Sequence, residues 1–173
     1  MRNSFLKKMV LLIGVSPAVL FADTSIGLNY SQLKYSDNGT TENFKPKAMI
    51  LKGIYGFHKN FAIEASVGMG IVNDHKDVTG YKNAKVDLDY LVSTHLKTIL
   101  PMTKKLDVNL LLGVSYIGLS TKSDDFSSDG AESSVSYGIG FDYGVTDKIS
   151  IEMNTMHYFN NIRALELGLI YKF

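Results

Sequence analysis

Charged residues of both signs recur at alternate positions within apolar segments: Lys52, Glu64, Lys85, Asp87, Asp89, His95, Lys97, Asp107, Asp142, Glu152 and Glu166, with Lys172 near the end of the chain. Carboxylates and ammonium groups brought into one enclosed space pair with one another or line a polar path for ions. Lys52, Glu64, Lys85 and Lys97 are charge-matched candidates for one such network. Asn73-Asp74-His75-Lys76-Asp77 offers a different chemistry, because Asp74, His75 and Asp77 carry the oxygen and nitrogen ligands a divalent cation takes. Ser123-Asp124-Asp125-Phe126-Ser127-Ser128-Asp129 is a second acidic stretch. Both read foremost as solvated loops, so no metal or other cofactor is expected. His157 is a candidate base, but ester hydrolysis needs a hydroxyl within hydrogen-bond reach of it. The nearest serine in sequence, Ser150, falls toward the other end of the same segment.

The elements that must position these groups read as strands. Side chains alternate between faces with a period of two, and Val86, Leu88, Tyr90, Val92 and Leu96 take one face while Asp87, Asp89, Ser93, His95 and Lys97 take the other. The same alternation runs through Phe61–Met69, Leu106–Tyr116, Val135–Tyr143 and Ile149–Met153, and further strands fall near Ile26–Tyr35, Lys47–Phe57 and Ile162–Phe173. That makes eight, and an even count lets the first and last strands pair antiparallel and close the sheet. Short turns are expected at 58–60, 101–105 and 144–148, and longer polar loops at Ser36–Lys45, Val72–Asn83 and Ser120–Glu132. A further short connection is expected near 159–161.

Periodicity alone fits either a soluble barrel with apolar residues inside or a membrane barrel with them outside. The ends of the chain favour the membrane. Leu165, Leu167, Leu169, Tyr171 and Phe173 form one continuous apolar face ending in a carboxy-terminal aromatic, opposite Glu166, Gly168 and Lys172. Tyr55, Phe57, Phe61, Tyr116, Phe141, Tyr143 and Tyr171 gather where the apolar faces stop, as interfacial girdles do. Met1 to Ala22 carries a basic start (Arg2, Lys7, Lys8), an apolar run and a small-residue end, the pattern of a secretory signal cut after Ala22, with Ala18 as the alternative site. Removing 1–22 takes away three basic and no acidic residues and leaves 15 against 17, a net charge of −2 for the domain 23–173. A basic nucleic-acid footprint is therefore absent. The chain contains no cysteine, which excludes disulfides and thiolate chemistry.

The last strand resembles the signal by which outer-membrane barrels of Gram-negative bacteria are recognised for insertion. With the signal segment and the strand count, the chain is similar to the small OmpA-like and OmpX-like barrels over nearly all of 23–173. Phe61-Ala62-Ile63-Glu64-Ala65 and Tyr137-Gly138-Ile139-Gly140-Phe141 add to the likeness. The resemblance implies an all-β, eight-stranded, antiparallel, transmembrane up-and-down barrel, monomeric, with Glu64 pointing into the lumen. It implies contact with outer-membrane lipid and lipopolysaccharide and with the barrel-assembly machinery; the acidic Ser123–Asp129 stretch is, from its residues, a candidate for bridging lipopolysaccharide through cations. An extracellular ligand would be met by the outer loops, where Tyr30, Tyr81 and Phe126 are candidate contacts. Lipid A deacylases of the PagL type carry a His-x-Ser-Asn stretch at the outer end of the seventh strand; His157 and Asn160 match it, and Phe159 stands at the nucleophile position. The expected role is therefore structural or surface-interacting and non-enzymatic. Adhesion or serum evasion is the alternative, and a lipid A-modifying enzyme or a small pore the readings of another class. Eight strands leave an interior just wide enough for side chains, so the inward charges are expected to plug it.

Overall fold

Strong period-two alternation leaves every segment with one apolar face, and only a closed sheet satisfies all the backbone hydrogen bonds of such segments when lipid lies outside. The computed structural model describes residues 23–36, 43–72, 74–78, 81–123, 126–159 and 162–173. Its strands are β1 (Thr24–Ser36), β2 (Asn43–Phe44), β3 (Lys47–His58), β4 (Phe61–Val72), β5 (Asp74–Val78), β6 (Tyr81–Pro101), β7 (Leu106–Ser123), β8 (Phe126–Gly144), β9 (Ile149–Phe159) and β10 (Ile162–Lys172). Short β2 continues β3 along β1, and β5 continues β4 along β6, so the ten segments build eight barrel strands. Each pairs antiparallel with its sequence neighbour, and β1 closes onto β10 from Ser25 opposite Lys172 to Tyr35 opposite Ile162.

Both chain termini of the barrel and the tight turns share one end. Two of these turns use the same device. Thr103 Oγ1 accepts from the amides of Lys105 (3.2 Å) and Leu106 (3.0 Å), and Thr146 Oγ1 accepts from those of Lys148 (3.2 Å) and Ile149 (3.0 Å). The threonine thus satisfies two donors that a two-strand turn would leave open.

The other end is uneven. Strands β6, β7 and β8 have 21, 18 and 19 residues, whereas β9 and β10 have 11 each. Pairing of β8 with β9 covers only Tyr137–Gly144, so β8 from Phe126 to Ser136 is bonded to β7 alone. This corrects the expectation of longer polar loops at Val72–Asn83 and Ser120–Glu132, most of which is strand. A ladder is made of backbone hydrogen bonds and does not itself require apolar alternation, so Ser127, Ser128, Glu132, Ser133 and Ser134 extend it without announcing it. The connection at 160–161 and most of the Ser36–Lys45 segment lie outside the described residues, as do residues 1–22.

The lumen has layers. Toward the loop end, Leu33, Ile50, Leu88, Leu91, Leu111, Ile117, Met156, Tyr158 and Ile162 pack into one buried apolar cluster. A polar layer fills the middle, and a small apolar cluster of Ile54, Ala62 and Ile170 lies toward the terminal end. The outward wall carries the exposed hydrophobics, among them Leu28, Leu51, Val67, Leu112, Val135, Met153 and Leu167.

Candidate functional site

Alternation along β3, β4, β6, β9 and β10 sends Lys52, Glu64, Lys97, Glu152 and Glu166 to the inside, each no more than 2% exposed. Lys52 Nζ donates to Glu152 Oε1 at 2.8 Å and lies 2.9 Å from Glu166 Oε2 and 3.3 Å from Glu64 Oε1. Lys97 Nζ reaches Glu152 Oε2 at 3.0 Å and Asp142 Oδ2 at 2.9 Å, with Glu64 Oε2 at 3.9 Å. Glu152 is the hub, since its Oε1 also accepts from Asn29 Nδ2 at 2.7 Å. The Tyr158 hydroxyl donates to Glu166 Oε1, which ties the polar layer to the apolar cluster above it. Two lysines thus hold four carboxyl groups drawn from strands all around the barrel. Buried ions are tolerable only when paired and hydrogen-bonded in this way.

Backbone must come close to make room. A Cβ on Gly168 would lie 2.1 Å from Asn29 Oδ1 and 2.4 Å from the Leu28 carbonyl oxygen, so glycine there lets Asn29 lean across β10 toward Glu152.

Beside the ion network, His95 Nε2 is 2.8 Å from Ser136 Oγ, which is 2.7 Å from Ser115 Oγ. Serine and histidine within hydrogen-bond reach are the core of a nucleophilic pair. Here both are sealed in, at 1% and 0% exposure, and no hydrogen bond orients His95 Nδ1 among the described residues. The geometry holds the strands together and gives a substrate no approach. Sequence offered no sign of this contact, because 41 positions separate the partners.

The other expected lumen charges are placed differently. A bulge between Leu88 and Tyr90 inserts one residue into β6, so Leu88 turns inward and the flanking Asp87 and Asp89 turn outward. Asp89 is exposed and accepts from Ser120 Oγ at 2.5 Å on the outer face. This corrects the inward assignment of Asp87 and Asp89. Asp107 sits opposite Asp142 at the terminal mouth, lining with it, Lys97 and Lys172 a cavity of about 380 Å³. The side chain of Lys85 lies outside the described residues, as do those of Asp74, His75, Asp77, Tyr81 and Phe126. Tyr30 stands in the lipid-facing wall opposite Leu167 rather than at a loop.

Leu165, Leu167, Leu169, Tyr171 and Phe173 all face outward, and the Tyr171 and Phe173 rings meet edge to face with centroids 5.4 Å apart. The Phe173 amide donates to the Thr24 carbonyl at 3.1 Å, which places the terminal aromatic at the barrel seam. At the loop end of β9, His157 stacks on Tyr137 with centroids 4.9 Å apart, and Phe159 packs against the lumen's apolar cluster.

This architecture has known counterparts. Ail, the attachment invasion locus protein of Yersinia pestis, superposes with a TM-score of 0.64 at 17% identity, covering 89% of this chain and all of Ail. Neisserial surface protein A, NspA, gives 0.62 at 15% identity over 87% of this chain and 97% of its own. OprG of Pseudomonas aeruginosa gives 0.59 at 14% over 89% and 97%. Identities this low speak for the fold alone. No curated protein sequence matches the chain. The model of the outer membrane protein beta-barrel domain matches residues 9–173, nearly the whole sequence. The chain therefore belongs to the family of outer membrane protein beta-barrel domains.

Proposed function

We propose that the protein is a non-catalytic outer-membrane barrel whose role is structural and surface-interacting, with the lumen closed to solutes. The observation that carries this reading is the filled interior: an apolar cluster, an ion-paired layer and a second apolar cluster occupy successive levels of the barrel. With no passage inside among the described residues, the surfaces left to meet partners are the lipid-facing wall and the strands beyond the rim. Leu165, Leu167, Leu169, Tyr171 and Phe173 serve in this reading as the assembly signal, and the tight turns face the periplasm.

The extension of β6, β7 and β8 past their neighbours favours a second role, adhesion. Residues 126–136 of β8 run roughly 33 Å along the strand with one edge unpaired by β9. Ail is an attachment invasion locus protein and binds the heparin analogue sucrose octasulfate in its crystal; an adhesive role here would place the contact on the projecting strands. Deleting 120–132 from the protein displayed on cells tests this. Surface attachment is expected to vanish while the boiled and unboiled forms still migrate differently in SDS. Attachment that survives the deletion overturns the adhesive role. An altered lipid A mass in cells making the protein would overturn the non-catalytic one.

A further inference from the structure

The ion-paired layer does not balance. Lys52 and Lys97 bring two positive charges to the four carboxyl groups of Glu64, Asp142, Glu152 and Glu166, and no third cation pairs with them among the described residues. Negative charge held away from water without a counter-charge is costly. Polar atoms without partners gather on one side of this layer. Asn109, Gly140 and Asn154 are successive Cα partners across β7, β8 and β9. Both asparagines are 0% exposed, and neither has a hydrogen-bond partner for its side-chain oxygen or nitrogen among the described residues. A Cβ on Gly140 would collide with Asn154 Oδ1, so the glycine leaves the space into which that side chain leans. Two residues along the same face of β8, Asp142 turns Oδ2 to Lys97 at 2.9 Å, and its Oδ1 is buried without a hydrogen-bond partner. The Asn109 amide approaches this carboxyl but completes no hydrogen bond to it. Buried polar groups in folded proteins are nearly always satisfied, so a cluster of this kind calls for a partner.

We infer that Asn109, Asp142 and Asn154 bind a sodium-sized monovalent cation over Gly140. Amide and carboxylate oxygens are the ligands that hard cations take. Each asparagine is free to turn its oxygen to the ion, because no existing hydrogen bond fixes its amide. One carboxylate beside two neutral amides, with the Lys97 ammonium on the other carboxylate oxygen, carries too little negative charge to hold a divalent ion. Water satisfies the amides but not the charge; a bound cation does both. It lowers the excess of two negative charges to one, which the hydrogen bonds from Asn29 to Glu152 and from Tyr158 to Glu166 help to spread. The entry is the mouth cavity that Asp142 lines, where Asp23, Asp107 and Asp147 outnumber Lys59 and Lys172. Beyond the site lies the apolar cluster of Leu33, Leu91 and Met156, so an ion leaves by the mouth it entered. The site is therefore distinct from the closure proposed above: a conducting barrel contradicts the seal, and a lost sodium response contradicts only the cation.

The test is urea unfolding of the refolded protein in lipid vesicles as sodium chloride replaces N-methylglucamine chloride at constant ionic strength. At fixed urea, the ratio of folded to unfolded protein is expected to rise about tenfold for each tenfold rise in sodium above the dissociation constant, because the ion binds only the folded lumen. Asn109→Leu/Asn154→Leu should remove this dependence. Asn154→Ser keeps a hydroxyl oxygen and should move the response to higher sodium, which gives a second reading if the leucine pair fails to refold. Lys34→Gln, on the exposed outer face, should respond as wild type does. A wild-type ratio indifferent to sodium means that water and retained protons fill the layer, and it overturns the inference. So does a sodium response that Asn154→Ser leaves unchanged, or magnesium chloride acting at lower concentration than sodium.

Discussion

The loop-side half of the lumen and its middle are filled by opposite means. Above, Leu33, Ile50, Leu91, Met156 and Tyr158 exclude water as any protein core does. Below, Lys52 and Lys97 hold Glu64, Asp142, Glu152 and Glu166 in a layer where every buried charge has an opposite one within 4 Å. The two fillings fail differently. An apolar layer loses energy in proportion to the atoms removed and the cavity left. A paired layer fails as a unit, because one missing ion leaves several others buried and uncompensated. The contrast shows how a narrow barrel can be sealed twice, by a tolerant apolar layer and by a layer intolerant of any single loss.

Substitutions that remove one member of each layer sharpen that contrast, beginning with the largest effect. Lys52→Ala should lower unfolding stability in lipid vesicles, measured by urea titration, by about 3–5 kcal/mol, since three carboxyl groups lose their nearest cation. Leu91→Ala in the apolar layer should cost about 2–3 kcal/mol in the same titration. If Leu91→Ala proves the more damaging, the two layers do not differ as described. Tyr158→Phe removes the hydroxyl joining the layers and keeps the ring, and a loss of about 1.5 kcal/mol is expected. Ser136→Ala, which breaks the chain from His95 to Ser115, should cost about 1 kcal/mol. In the non-catalytic reading that variant shares with wild type an inability to hydrolyse long-chain esters; wild-type turnover that Ser136→Ala abolishes would contradict the sealed view of this pair.

Much of this arrangement was legible by counting in twos. Glu64 and Glu152 each lie between apolar residues, and Lys52 and Lys97 each follow a leucine, so one face had to carry the charge and the other the lipid contact. The upper lumen was not legible, because Leu33 and Ile50 alternate with Tyr30, Met49 and Leu51 in stretches where both phases hold apolar residues. Period two then says nothing about which phase turns inward. Asp87-Leu88-Asp89-Tyr90 shows the opposite failure: its alternation is clear, yet one bulge reverses its sense. A bulge is set by pairing with β7, and the local sequence carries no glycine or proline to mark it. The far parts of β7 and β8, from Ser120 to Ser123 and from Ser127 to Ser134, are rich in serine and charged residues, so their composition resembles a loop while their hydrogen bonds form a ladder.

A barrel with lipid outside and a double seal inside should not pass ions, which planar-bilayer recording of the refolded protein measures. Wild type should show no stable conductance. A steady ohmic conductance in wild type that Glu64→Ala changes would contradict it, because ions would then be crossing the layer that Lys52 and Lys97 are described as closing.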